Sequence, residues 1–378
     1  MKIAIFGGSF NPVHKEHINI VKAAIESLSL DKVIIMPSNV TPSKNGRMFA
    51  SATDRLNMCK LAFAGVPKTV VSDYEISQSG ISYSYLTCRQ FKEKYPDDGR
   101  YFIVGGDMLE NFGEWKNPEE ILEYVTLAVC ARGDGDSLKK AQADFFARFG
   151  KNVETIGYIG GNVSSTRIRA RAALGEGLEG LVSPEVEKYI NDNSLYYIRG
   201  ACEVKKSLSE YRWKHTVGVA VMAAENCTRY NVSEKDAITA ALFHDCAKEL
   251  PQDSPLIADC HISADVPPPV VHQFTGAYLA EHLYGIKDRN ILNAIKYHAS
   301  GKENMAPLGK LINLVDILEE GRDYEGVQEL REIFKKDKDE ALLVAFEELL
   351  NRLYSSGHPV YHLTQKAYDY LKEHKNDE

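Results

Sequence analysis

The sequence predicts an α/β domain followed by an all-α domain. In the first half, short apolar runs alternate with segments of three- and four-residue apolar spacing, whereas beyond residue 206 the strand pattern disappears. The length of 378 residues also exceeds what one ordinary hydrophobic core supports. We therefore expect two domains, residues 1–197 and residues 198–378.

The composition is that of an ordinary globular protein, with 44% hydrophobic and 26% charged residues. A net charge of -8 argues against general binding to nucleic acid or to anionic membranes. The seven cysteines form no CxxC pair, which favours reduced thiols. The first residues lack the layout of a signal peptide, and no apolar run is long enough to span a membrane. We expect a cytoplasmic enzyme, and the residues leave a homo-oligomer open.

The elements of the first half alternate regularly. Strands are predicted at 2–6, 33–36, near 70, at 101–104, 125–130 and 153–156, and helices from about residue 14 and at 54–64, 83–94 and 138–149. Strand, helix and strand at this spacing predict a parallel, doubly wound sheet with right-handed crossovers. Ligands of such sheets bind at the carboxyl ends of the strands.

The string GGSFNPVHKEH follows the first predicted strand. Gly7 and Gly8 let the backbone approach a phosphate, and the following helix presents its positive end. His14 and His17 share one helix face and can stabilise charge on phosphate oxygens. A His-x-x-His pair alone is more often a chance surface pair. The complete string, which also contains Ser9 and Phe10, favours a phosphate site.

Two further segments contain candidate ligand-binding residues. Ser164, Ser165 and Thr166 open a helix whose free N–H groups, together with Arg167, can face a polyphosphate. The alternative is that the segment is only a well-capped helix with a basic first turn and binds no ligand. Gly105-Gly106-Asp107 ends a predicted strand, and Trp115 follows shortly. The indole is suited either to the core or to stacking on a flat ring.

Together these strings resemble the nucleotidyltransferase superfamily and, through GGDMLENFGEW and MPSNVTPSK, bacterial nicotinate-mononucleotide adenylyltransferase. The resemblance covers about residues 1–197 and implies a Rossmann-like domain. It also implies that ATP and nicotinate mononucleotide give deamido-NAD and pyrophosphate with Mg²⁺. On this reading Trp115 stacks on the nicotinate ring, and Gly105 and Asp107 belong to the acceptor or metal side.

Two positions depart from the pattern of this family. Asn11 stands where many members have Asp, and Ser43-Lys44 stands where His-Lys is common, so Lys44 carries more of the phosphate contact. Pantetheine-phosphate adenylyltransferase shares the first motif and is the near alternative. The segment from Asp107 to Trp115 argues against it.

Apolar residues at three- and four-residue spacing predict helices throughout the second half. They are predicted at 211–230, 233–249, 271–284, 288–299, 307–320, 325–334, 339–353 and 363–373, with N-caps at Ser233 and Asp288 and Pro307 in a first turn. Six polar residues fall within these helices: His215, His244, Asp245, His272, His298 and Asp316. A lone buried His is usually a satisfied core residue, but an unpaired buried carboxylate is costly. Six such residues suggest two metal ions bridged by Asp245.

The arrangement H…HD…D with the added histidines resembles the HD-domain phosphohydrolases, in particular the symmetric diadenosine tetraphosphate (Ap4A) hydrolases. The matching strings include ALFHDCAKELP and AIKYHASGKENMAPLGKLINLVDILEEGRDYEGV. The resemblance implies hydrolysis of Ap4A to two ADP at two divalent metal ions, iron by expectation, and a site for ADP- or GDP-like nucleotides. Lys248 and Arg322 would neutralise the polyphosphate, although surface charge is an equal reading of Arg322. Glu320 and Cys246 depart from residues frequent in the family.

Two other readings of the second half stay open. It could be a nucleotide-sensing domain without catalysis, although a binding module has no need of six metal ligands. It could also hydrolyse another nucleotide, such as (p)ppGpp or a nucleoside triphosphate, because the HD ligands alone do not choose the substrate.

Overall fold

The computed structural model describes residues 1–39, 50–78, 81–132, 135–161 and 163–375. These residues form two compact units. The first contains the described residues up to Ile168 together with Gly177–Leu195, and the second contains Arg169–Glu176 and the residues from Tyr196 onward. The boundary expected between residues 197 and 198 stays a prediction, because a division by packing does not test whether each part folds alone. No helix in the described part of the chain is long and apolar enough to cross a membrane.

A six-stranded parallel sheet in the order β3-β2-β1-β4-β5-β6 organises the first unit. Its strands are β1 (Lys2–Gly8), β2 (Lys32–Pro37), β3 (Thr69–Val71), β4 (Gly99–Gly105), β5 (Thr126–Arg132) and β6 (Glu154–Gly160). Ile3, Ala4 and Ile5 are fully buried because central parallel strands are covered on both faces. This is the predicted doubly wound α/β fold.

Nine helices are described in or bordering this unit. They are α1 (Lys15–Leu28), α2 (Ala52–Phe63), α3 (Tyr74–Ser77), α4 (Ser84–Lys94), α5 (Gly106–Glu110), α6 (Pro118–Tyr124), α7 (Gly135–Phe149), α8 (Ser165–Ala173) and α9 (Pro184–Asp192). The four long helices predicted from apolar spacing are confirmed within a few residues. The short helices α3, α5 and α6 escaped prediction because one or two turns show too little periodicity. Gly7 and Gly8, which lie beyond the strand predicted at 2–6, close β1, in register with Met36 and Pro37.

The second unit is helical, as predicted. It contains α10 (Ala201–Ser207), α11 (Glu210–Asn226), α12 (Glu234–Phe243), α13 (Val271–His282), α14 (Arg289–Lys296), α15 (Pro307–Leu318), α16 (Val327–Lys336), α17 (Lys338–Ser355) and α18 (His362–Glu373). Ser233 and Asp288 cap α12 and α14 with their side chains, as their residue types indicated. Pro307 begins α15.

The ends of α12 and α14 differ from the prediction in a way that places three of the predicted metal ligands. α12 stops at Phe243 rather than near residue 249, and α14 stops at Lys296 rather than near residue 299. At α14 the amide groups of Ala299 and Ser300 donate to the buried Gln273 side chain, at 3.1 and 3.0 Å, so they do not continue the helical ladder. His244, Asp245 and His298 therefore lie just beyond helix ends, whereas the sequence placed them within helices.

A buried ion pair joins α8 to α12 inside the second unit. Arg169 Nε and Nη2 donate to the two carboxylate oxygens of Glu234 at 2.6 and 2.7 Å, and both side chains are at most 2% exposed. Bidentate geometry satisfies both charged groups where water cannot. Helix α8 thus begins among the residues of the first unit and, from Arg169, packs with the second.

Candidate functional site

The glycine and histidine residues of the first motif lie at the carboxyl edge of the sheet. Strands β1 and β4 pair in parallel, so Gly8 and Gly105 end neighbouring strands. His14 is the N-cap of α1, and its backbone N–H donates to His17 Nδ1 at 3.1 Å. The centroids of the two imidazole rings are 3.7 Å apart. The two rings therefore lie side by side, although His14 is the extended N-cap residue and not part of the helix face on which both were expected.

The two phosphate-motif segments meet in space although they are far apart in sequence. Ser165 Oγ donates to the carbonyl oxygen of Pro12 at 3.0 Å. Ser164 Oγ accepts from the N–H of Arg167 at 3.2 Å and so caps α8, with Thr166 in its first turn. The N-terminal ends of α1 and α8 therefore face the same part of the sheet edge. Lys44, the remaining predicted phosphate contact, lies outside the described residues.

A buried arginine that the sequence did not single out supports the glycine loop. Arg55 of α2 is 1% exposed, and its guanidinium donates to the carbonyl oxygens of Ser9, Asn39 and Ala50 at 2.8, 2.9 and 3.3 Å. These bonds connect the loop after β1 to the segment after β2. An arginine in an otherwise amphipathic helix gives no local signal of this role.

The predicted acceptor residues follow β4. A Cβ on Gly105 would lie 2.5 Å from Asp107 Oδ1, so the carboxylate folds back over the strand end and would have to move if another residue stood there. Trp115 is half-buried, with its ring against Phe102 and Phe112 at centroid distances of 6.1 and 5.2 Å. The indole therefore packs on the core through one part and remains partly open to a ligand.

In the second unit, the six predicted residues converge. His215 Nε2 lies 2.9 Å from Asp316 Oδ1 and 3.3 Å from His244 Nε2, and His272 Nε2 lies 3.1 Å from His298 Nε2. The ligand atoms of two trios, His215–His244–Asp316 and His244–Asp245–His298, each lie within 4.8 Å of one another. We call these six residues the His/Asp cluster.

Asp245 lies between two groups of imidazoles. Its Oδ2 is 3.7 Å from His244 Nε2, whereas its Oδ1 is 3.3 Å from His272 Nε2 and 3.5 Å from His298 Nε2. Each carboxylate oxygen therefore faces a different part of the His/Asp cluster. This is the geometry that a carboxylate bridging two ions needs.

Three imidazoles of the cluster are oriented through their other nitrogen. His244 Nδ1 and His298 Nδ1 lie 2.6 and 2.8 Å from the carbonyl oxygens of Ala241 and Ile295 at the ends of α12 and α14. His215 Nδ1 lies 3.2 Å from Glu319 Oε1. Such partners place the proton on Nδ1 and leave the Nε2 lone pair for a metal.

The donor set fits a divalent cation. With Nδ1 protonated, the Nε2 atoms of His215 and His244 turn lone pairs toward each other across 3.3 Å. Asp316 Oδ1 lies 2.9 Å from His215 Nε2, so this carboxylate faces the same lone pairs. Converging lone pairs and carboxylate oxygens in a buried space can hold a divalent cation. Imidazole and carboxylate ligands suit zinc, iron or manganese.

Basic side chains surround the His/Asp cluster. Arg212 Nη1 donates to Asp245 Oδ2 at 2.9 Å, Arg322 Nη2 donates to Asp316 Oδ1 at 2.7 Å, and Lys248 Nζ lies 3.0 Å from His272 Nε2. Burial lowers the pKa of Lys248. Lys248 is thus placed beside the cluster as expected, and Arg322, for which surface charge was an equal reading, points into it. These cations provide positive charge for a polyphosphate.

Arg212 and Glu319 were not identified from the sequence. Glu319 is 4% exposed and accepts from the N–H of Gly321 at 2.6 Å, and a Cβ on Gly218 would lie 2.3 Å from its Oε2. Both residues stand three positions from a predicted ligand, Arg212 before His215 and Glu319 after Asp316. This same-face spacing is the signal that could have found them.

Comparisons with known proteins match both halves. The cytidylyltransferase-like family matches residues 5–171, and the HD domain family matches residues 212–321. A probable nicotinate-nucleotide adenylyltransferase/Ap4A hydrolase of Mycoplasma genitalium is 29% identical over 359 residues, covering 93% of this chain and 98% of its own length. A probable nicotinate-nucleotide adenylyltransferase of Shouchella clausii is 33% identical over 195 residues, covering 52% of this chain and 96% of its own length.

Among solved structures, a predicted HD superfamily hydrolase involved in NAD metabolism from Clostridium acetobutylicum aligns with a TM-score of 0.43 and 34% identity. The alignment covers 45% of this chain and 93% of that structure.

Proposed function

The chain belongs to the family of nicotinate-nucleotide adenylyltransferases, and on that premise we propose that it is a bifunctional enzyme. Its first half transfers the adenylyl group of ATP to nicotinate mononucleotide, with Mg²⁺, and forms deamido-NAD and pyrophosphate. Its second half hydrolyses Ap4A to two ADP. The full-length similarity to a relative named for both activities supports the pairing.

The contact between Ser165 and Pro12 is the observation that supports adenylyl transfer most directly. It brings the N-terminal ends of α1 and α8 to one edge of the sheet, where their free N–H groups and Arg167 can hold a triphosphate. An oxygen of the acceptor phosphate then bonds to the α-phosphorus of ATP while the bond to pyrophosphate breaks. His14 and His17 donate hydrogen bonds to the oxygens on which charge builds up.

A steady-state comparison of His14→Ala, His17→Ala and His282→Ala tests this assignment. We expect each of the first two changes to lower kcat for deamido-NAD formation about 100-fold, because a preorganised donor to the transition state is lost. His282, an exposed residue of α13, is the control and should leave the rate unchanged. Full rates in both His14→Ala and His17→Ala would remove the phosphate role given to the pair.

For the second half, the two-sided placement of Asp245 supports a site for two divalent ions, which we propose are iron. The ligands would be His215, His244 and Asp316 on one side and His272 and His298 on the other, with Asp245 shared. Such ions neutralise phosphate oxygens and lower the pKa of water. Arg212, Arg322 and Lys248 hold the polyphosphate so that the oxygen of water can bond to its second phosphorus atom. The bond from that phosphorus to the oxygen bridging it to the third phosphorus breaks, and two ADP are released.

The hypotheses for the second half are hydrolysis of Ap4A, hydrolysis of another nucleotide and nucleotide sensing without catalysis, and they predict different products. Purified protein is incubated with Ap4A, ppGpp and ATP, with and without chelator, beside Asp245→Ala. Chelator-sensitive release of two ADP from Ap4A alone, lost in the variant, is the expected result. Turnover of ppGpp or ATP instead would change the substrate. No turnover despite bound metal would favour a nucleotide-sensing unit.

We also propose a cytoplasmic location, where ATP and nicotinate mononucleotide are made and used. The seven cysteines, all in the described part of the chain, form no disulfide, and five of them are buried, which suits a reducing compartment. The proposed ligands are therefore nucleotides and metal ions, with neither nucleic acid nor membrane among them.

A further inference from the structure

A cavity of about 310 Å³ opens beside the His/Asp cluster. His298 and Asp316 line its inner end, so it communicates with the proposed metal site. Its side walls are apolar and are formed by Ile317, Leu330, Ala345, Phe346 and Leu349. A space of this size is at the lower end of the range for small-molecule pockets, about 300–1,000 Å³, and admits one nucleoside rather than two.

Much of this cavity lies beyond the part of the chain that matches the HD family. The match ends at residue 321, whereas Leu330 belongs to α16 and Phe346 to α17. The matched segment therefore supplies the His/Asp cluster, and the helices that follow it supply most of the cavity walls. We expect this arrangement where helices that determine substrate specificity follow a hydrolytic core that the whole family shares.

Charge is distributed unevenly around the cavity. Arg322, which donates to Asp316, stands where the cavity meets the His/Asp cluster. Arg352 and Glu348 lie one helical turn apart on α17, and both are exposed at the cavity rim. Burial, followed by the charge of Glu348, raises the pKa of Tyr324, which places this phenol within the same electrostatic environment. The cavity thus combines a cationic inner end, an apolar wall and hydrogen-bonding groups at its rim.

We propose that this cavity binds one nucleoside of a dinucleoside polyphosphate, with its base against the apolar wall beside Tyr324 and its phosphates directed past Arg322 to the His/Asp cluster. The second nucleoside stays outside, so recognition is one-sided although the substrate is symmetric. Arg352 at the rim contacts the ribose of the bound half. This inference rests on the proposed hydrolase activity of the same site.

Ligands that carry one nucleoside or none test whether the cavity recognises a single nucleoside. Adenosine 5′-tetraphosphate should compete with Ap4A with an inhibition constant within about 3-fold of the KM of Ap4A, because both fill the cavity once. Inorganic tripolyphosphate, which lacks a nucleoside, should bind at least about 10-fold more weakly than ADP by calorimetry, with and without metal. Equal affinity for tripolyphosphate and ADP would overturn the proposal.

Two substitutions test whether the nucleoside binds in this cavity. Ala345→Leu fills the cavity, and Arg352→Gln removes a rim charge at an exposed position; each should weaken ADP binding about 10-fold and leave tripolyphosphate binding and metal content unchanged. Val344→Leu, one residue away on α17, and Lys336→Gln on α16 are matched controls. If Ala345→Leu does not fold, the ADP affinity of Arg352→Gln alone decides the proposal. Unchanged ADP affinity in folded Arg352→Gln and Ala345→Leu would overturn the cavity assignment.

The same measurements separate this inference from the proposed function. Wild-type protein that binds ADP in the cavity but never hydrolyses Ap4A would refute the hydrolase activity and leave the nucleoside site standing. Hydrolysis of Ap4A that is insensitive to both cavity variants would refute the nucleoside site and leave the hydrolase activity standing.

Discussion

Glu319 Oε1 lies 3.2 Å from His215 Nδ1 and fixes the direction in which the opposite ring nitrogen points. The carboxylate is itself held by the N–H of Gly321 and packs where Gly218 leaves room for it. An acid–imidazole pair of this kind raises the basicity of a metal-bound histidine and keeps its orientation. Glu319 is therefore a positioning residue for the proposed metal site.

Glu319→Gln should weaken metal binding by roughly 10–100-fold, because the amide holds the imidazole less strongly than a carboxylate does. Metal content after dialysis at fixed free metal, and a Co²⁺ absorption titration, measure this without reference to activity. Glu320→Gln changes the exposed neighbour and serves as the control. Wild-type metal affinity in Glu319→Gln would show that the carboxylate only packs.

Arg55→Lys should destabilise the first unit by about 3 kcal/mol, since an ammonium cannot reach the three carbonyl oxygens that the guanidinium satisfies. Urea unfolding followed by circular dichroism gives the free energy of unfolding. Arg89→Gln removes an exposed ion pair with Glu120 and should leave the midpoint nearly unchanged. An equal small effect of both changes would contradict the role assigned to Arg55.

Trp115→Ala should raise the KM for nicotinate mononucleotide about 10-fold with little change in the KM for ATP, because stacking on one aromatic ring contributes roughly 1–3 kcal/mol. Trp115→Phe keeps an aromatic face and should retain most of the affinity. Thermal midpoints of both variants separate lost stacking from lost packing against Phe112. An unchanged KM in folded Trp115→Ala would leave the indole a core residue.

Acid should destabilise the chelated protein in a defined window. Burial lowers the pKa of His244 from 6.5 to about 4, so the unfolded chain takes up a proton there that the folded one does not. Stability is then lost as pH falls from about 6.5 to about 4, by at most about 3 kcal/mol. Burial likewise lowers the pKa of His272, which adds to the loss.

His215 acts in the opposite direction. Burial alone would lower its pKa, but hydrogen bonds to Asp316 and Glu319 raise it, so its contribution is present below pH 6.5 and is lost as pH rises through the raised value. Chemical unfolding of the chelated protein between pH 4.5 and 7.5 measures the slope. His244→Gln should flatten the acid limb, whereas His282→Gln should not. Parallel slopes for all three proteins would exclude His244 as the cause.

Some residues of the two sites could be predicted from the sequence, and others could not. The six residues of the His/Asp cluster were found because a carboxylate or imidazole in an apolar helix needs an explanation in chemistry. Gln273 and Arg55 were not found, because their partners are backbone groups that only the fold brings near. The early ends of α12 and α14 were missed for the same reason: apolar spacing continues past Phe243 and Lys296, but the carbonyl groups there bond to imidazoles instead.

The ion pair between Arg169 and Glu234 determines where the gene can usefully be cut. An expression fragment that starts at residue 198 would keep Glu234 in its interior and discard the guanidinium that neutralises it, at a cost of about 3–5 kcal/mol. Such a fragment would lose a large share of the stability of an ordinary domain. A fragment that begins upstream of α8 retains the pair, so the shortest second-half clone worth making overlaps the first-half sequence.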